Sequence, residues 1–108
     1  MLIVSRLHAF TALPVDFEPG AYMTGTNLYE VCRNEGSTSC LSYVIGVADL
    51  LVWAENTKVC IPSYITARQL VLSFQKAARE MPQNLNLSAA LLVRFGIVQS
   101  FPCPANSN

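Results

Sequence analysis

Apolar residues fall along the chain in blocks of different spacing. In residues 66–82 the apolar positions Leu70, Val71, Phe74, Ala77, Ala78 and Met81 recur at i, i+3 and i+4, which predicts an amphipathic helix. Thr66 and Gln69 have capping-box spacing at its start, and Pro82 stops it. Upstream, Leu28, Val31 and Cys32 share one face of a short helix that ends near Arg33, with Asn27 and Glu30 as a second capping-box pair. Asn84 or Asn86 is placed to cap a last helix, Leu87 to about Gln99, closed by Phe101-Pro102-Cys103-Pro104. NEGSTS (34–39) and ENTK (55–58) read as polar connections, with Gly36 suited to a turn.

The remaining block, TSCLSYVIGVADLLVWAE (38–55), is apolar at nearly every position around a single aspartate, Asp49. From Cys40 to Ala54 is 15 residues, about 22 Å of helix, whereas a membrane span needs ~20 residues. An aspartate at the bilayer centre would add roughly 3 kcal/mol. The block therefore reads as a central core helix from about Ser39 to Trp53, buried on most sides. Ser39, Ser42, Gly46 and Asp49 share one stripe of it, and Ser42, Gly46 and Asp49 form a structural seam that another backbone can approach closely. Asp49 then either bonds a neighbouring helix end or is half exposed, and Asp49→Ala is expected to cost stability or dimer packing rather than a catalytic rate.

The fold class that follows is all-α, a small disulfide-stapled bundle of about four helices. Residues 1–21, with Pro14, Pro19 and Gly20, form an irregular arm or leader, and residues 22–108 form one helical domain. Arg6 and His8 interrupt the apolar start, which lacks the basic opening and h-region of a secretory signal. The reading that retains export places the signal outside this sequence.

Composition sharpens this picture. Hydrophobic residues make up 52% of the 108 positions and charged residues 13%, about half the usual ~25%; so few charges fit a compact domain that is simply poor in charge, or apolar surface that meets a partner. Seven basic and seven acidic side chains cancel, which leaves no field for nucleic acid. They are unevenly spread, acids in the first half and bases in the second, an arrangement suited to protein contacts. Arg68, Lys76 and Arg79 share a helix face without interleaved aromatics and read as a solvated face.

Four cysteines, Cys32, Cys40, Cys60 and Cys103, show no C-x-x-C spacing, so two disulfides and an oxidising compartment are expected. Of the three possible pairings, a helical hairpin favours Cys32 with Cys40. Cys60 and Cys103, both beside prolines outside regular structure, then tie the C-terminus to the bundle. A single histidine, His8, leaves cysteine or serine nucleophiles without a base, and no phosphate-loop, zinc or dinucleotide motif occurs. No enzymatic chemistry, cofactor or metal is expected.

Several segments in order resemble the resistance-associated (Rap-type) immunity domain of bacteria. They are Asn27-Leu28 leading to Cys32, Cys40-Leu41-Ser42-Tyr43, Gly46-Val47-Ala48-Asp49, Cys60-Ile61-Pro62 and Gln69-Leu70-Val71. Pro82, Ala89-Ala90-Leu91-Leu92 and Phe101-Pro102-Cys103 follow, so the resemblance covers about residues 22 to 104. It implies a small, helical, disulfide-bearing periplasmic protein, often dimeric. Its partner would be a cognate peptidoglycan amidase effector delivered by type VI secretion, whose substrate cleft it plugs. From exposure alone, the partner-binding candidates are Glu55, Asn56, Thr57, Lys58, Gln83 and Asn84, with the turn 34–39. The alternative is a small periplasmic helical binding or acid-chaperone module.

Overall fold

The computed structural model describes residues 22–105. Among them the chain forms α1 (Gly25–Val31), α2 (Thr38–Ala54), α3 (Ala67–Glu80) and α4 (Ala89–Ser100), with one 3-10 turn, Pro82–Asn84, between α3 and α4. No strand occurs among these residues; two isolated bridges, Thr24 with Ser88 and Val59 with Pro102, close the ends. The arm expected over residues 1–21 lies outside the described residues. The fold is the expected all-α bundle, with α3 lying against the other three helices.

Helix starts are fixed by local hydrogen bonds. Thr66 caps α3, its Oγ1 accepting from the Gln69 N–H while the Gln69 side chain accepts from the Thr66 N–H, the expected reciprocal box. For α1 the cap lies one turn earlier than the Asn27–Glu30 spacing suggested: Thr24 is the N-cap, its Oγ1 accepting from the Asn27 N–H at 3.2 Å. The next orphan N–H groups of α1, at Gly25 and Thr26, donate to the Leu87 and Leu85 carbonyls. That use of the 85–87 segment explains why neither Asn84 nor Asn86 caps α4. Ser88 is its N-cap, and the Ala89 N–H donates to Met23.

The core comprises Leu28, Val44, Leu51, Leu70, Val71, Phe74, Leu92, Val93 and Ile97, and takes in the Cys32 and Cys40 side chains. The Tyr29 ring meets Phe74 edge-on at 6.5 Å. Central position belongs to α3 rather than α2. Seven of its fourteen residues are buried, including Ser73 and Gln75. Gln75 Nε2 donates to the Cys32 carbonyl at 2.9 Å, which ties α3 to the end of α1 and satisfies a buried amide.

By contrast α2 buries only Cys40, Val44, Ala48 and Leu51. The expected seam faces outward: Ser42, Gly46 and Asp49 are exposed, and a Cβ at Gly46 would meet nothing within 4 Å. The close backbone approach is made at Gly96 of α4, against Ser73 and Phe74 of α3. Asp49 therefore supports no packing within the chain, and the expected stability cost of Asp49→Ala falls away. Small residues on a helix mark a close approach only when a partner helix lies on that side, and among the described residues none does.

Candidate functional surface

The disulfides stand at opposite ends of α2. Cys32–Cys40 closes the turn that leads into it, with Cα atoms 5.0 Å apart. Cys60–Cys103, at 4.9 Å, ties the segment after α2 to the end of α4. Within the first turn Asn34 Oδ1 accepts from the Gly36 N–H, and Ser37 caps α2 by accepting from the Cys40 N–H. Beside the second, the Cys60 N–H donates to the Phe101 carbonyl and the Cys103 N–H to that of Lys58.

These ties arrest the polar connections but scatter them. Since α2 has 17 residues, about 25 Å of helix separates the 34–39 turn from the 55–58 loop. Gln83, exposed, and Asn84, half-buried, belong to the 3-10 turn near the start of α1. They lie at the opposite end of α4 from the Phe101–Cys103 anchor of the 55–58 loop. Residues 55–58 and Gln83–Asn84 thus form two separate groups, and the 34–39 turn, beside Arg68 at the start of α3, stands apart from both. In the loop, Asn56, Thr57 and Lys58 are exposed, whereas Glu55 is occupied. Its carboxylate accepts two bonds from Arg94, Nε at 2.6 Å and Nη2 at 2.7 Å, a bidentate bridge from the end of α2 to the middle of α4.

Those bonds hold the Glu55 carboxyl below its ordinary value of 4.5, against desolvation and with help from Lys58. A carboxylate more acidic folded than unfolded stabilises fully above the unfolded value and loses that contribution as pH falls through the folded one. The melting temperature is therefore expected to decline once pH drops below about 4.5, and Glu55→Gln should remove part of that decline. Melting curves taken from neutral pH downward test this. An identical acid slope in both proteins would show that the bridge is not responsible.

A surface that the polar candidates do not include lies between the two groups. Along α2, Ile45, Leu50, Val52 and Trp53 are all exposed, Trp53 to 80%, and Leu91 of α4 is exposed beside them. Between α2 and α4 runs an open groove of about 420 Å³, walled by Val47, Leu50, Ala54 and Leu91 and closed at one end by Glu55 and Arg94. The signal for it was present in the sequence. A helix apolar all round is either enclosed by its own chain or covered by another; the apolar run predicts an enclosed α2, and the exposed face overturns that.

Among the described residues no group of His, Cys, Asp and Glu could hold a metal ion, and no helix is long and apolar enough to cross a membrane. The arrangement is thus one of exposed apolar area and cross-linked loops. No curated protein and no solved structure matches the chain. A family model described as Rap1a immunity proteins matches residues 24–103.

Proposed function

Because this chain belongs to the Rap1a immunity protein family, we propose that it protects its cell by binding a peptidoglycan amidase effector of type VI secretion and obstructing the substrate cleft. It acts by occupancy, without chemistry of its own. The observation that carries the mechanism is the placement of Asn56, Thr57 and Lys58. They are exposed on a loop that directly follows the exposed Trp53 and is held by the Cys60–Cys103 bridge. A loop ordered before binding loses little entropy on entering a cleft, and an exposed tryptophan beside it supplies the kind of anchor that dominates interface energies. Gln83, Asn84 and the 34–39 turn lack such an anchor next to them and are assigned no part in the plug.

Two disulfides support an oxidising compartment, and for an inhibitor of a peptidoglycan-cleaving enzyme the periplasm fits that requirement. A homodimer is compatible with this reading and leaves the loop assignment unchanged.

The test is inhibition of a purified peptidoglycan amidase effector of type VI secretion from the same cell, followed by release of cleaved peptidoglycan. Stoichiometric protein is expected to abolish cleavage, and Asn56→Ala/Lys58→Ala to weaken inhibition by about tenfold or more. Glu55 is left intact because its removal would disturb Arg94. Full amidase activity in the presence of excess protein would refute the proposed function, and full inhibition by the double variant would exclude this loop.

A further inference from the structure

The outward face of α2 is unusual in one respect. Ile45, Val52, Trp53 and Leu50 are apolar and exposed, yet Asp49 stands among them, exposed, with no ion pair or hydrogen bond to any of the described residues. On a helix with 100° between residues, Asp49 falls between the Ile45–Val52 side and Trp53. No cation is available on α2 itself, which contains no lysine or arginine. Arg94, the nearest along the groove, is engaged by Glu55 at both of its bonding nitrogens.

We infer that this face, centred on Asp49 and Trp53, is the platform on which the effector docks, and that the effector meets it with an apolar ridge carrying a lysine or arginine opposite Asp49. The inference rests on the proposed immunity role and adds to it the recognition surface and the chemistry of the partner. Two features select this occupant. Covering the face with apolar atoms alone would bury a carboxylate without a counter-charge, which costs several kcal/mol; a facing cation removes that penalty and rejects partners that lack it.

The second feature disfavours a second copy of this chain. Asp49 is at the middle of the 45–53 patch, so a two-fold pairing of α2 with α2 would set one Asp49 carboxylate against the other. Like charges in that position oppose association. A different protein with a basic residue has no such conflict. The platform also runs without a break into Asn56–Lys58, so one partner can take the loop in its cleft and the α2 face on its rim.

The experiment uses Trp53→Ala and Asp49→Lys in the full chain, with the purified type VI amidase effector of the same cell as the probe. Both side chains are exposed, so thermal melts should match the parent protein. Trp53→Ala is expected to weaken the complex about 30-fold and Asp49→Lys at least about tenfold. Exchanging the facing effector cation for glutamate should restore binding to Asp49→Lys. Affinities within about threefold of the parent would overturn the platform while leaving the immunity role intact, whereas absence of any complex with the parent protein would overturn both. Sedimentation velocity of the chain alone supplies the last arm: self-association that either variant abolishes would make the occupant a second copy and refute the inference.

Discussion

Replacing Cys60 and Cys103 together by serine is expected to lower stability by about 4 kcal/mol, a fall in melting temperature of roughly 15–30 °C for a domain of this size. The bridge spans 43 residues, and in the chain-entropy model the longer loop removes more freedom from the unfolded chain. Cys32–Cys40 spans 8 and is worth about 2.5 kcal/mol on the same scale, so its removal should cost visibly less. What remains at the Cys60 end is the Val59–Pro102 bridge, whose two backbone hydrogen bonds join 58–60 to 101–103, too few to fix the loop that precedes it. The double variant should therefore lose affinity for its cognate effector as well as stability, even where it is still folded.

The same bond can be tested without mutation. Cys32 and Cys40 are wholly buried, whereas Cys60 is exposed, and thiol exchange requires access to sulfur. Mild reductant is expected to open Cys60–Cys103 first, seen as two alkylated cysteines by peptide mapping and a melting curve matching that of the double-serine variant. Equal rates at the two bridges, or a double variant melting within about 5 °C of the parent, a shift worth only ~1 kcal/mol, would contradict this account.

How far the sequence could be read depended on whether a feature was local. The capping box of α3 was legible because both of its hydrogen bonds lie within four residues. So was the Cys32–Cys40 hairpin, whose cysteines flank one short turn. The start of α1 was misplaced because its N–H groups are satisfied by carbonyls about sixty positions downstream, at Leu85 and Leu87, and no local pattern records that. Gln75 was missed for the same reason: its partner is the Cys32 carbonyl, 43 residues away. For the candidate surface, composition allowed exposed apolar area but could not say which side of α2 would hold it. A helix apolar on every face has no polar stripe to mark the outside; only the packing of α3 and α4 against Val44, Ala48 and Leu51 decides that.

Gly46 and Gly96 separate these two kinds of information, and opposite results are expected at them. At Gly96 a new Cβ would run into the Ser73 carbonyl group and the Phe74 nitrogen. These are backbone atoms, so no rotamer change relieves the overlap and α3 and α4 must move apart. Overpacking of this sort costs typically 1–3 kcal/mol and sometimes more, and separation would also loosen the contacts of Phe74, Val93 and Ile97, all wholly buried. Alanine recovers about 1 kcal/mol of helix propensity over glycine, so with the clash at the upper end of that range Gly96→Ala is left less stable by about 2 kcal/mol. At Gly46 there is open space, so Gly46→Ala should gain up to about 1 kcal/mol. Urea unfolding of the two variants measures both signs, and a shared sign would mean that the packing of α2 or of α4 is not as described. Because Gly46 lies on the same outward stripe as Asp49, a bulky replacement such as Gly46→Leu carries the contrast to the complex. It should leave the isolated chain folded while weakening its hold on the effector, since among the described residues there is no neighbour for it to meet.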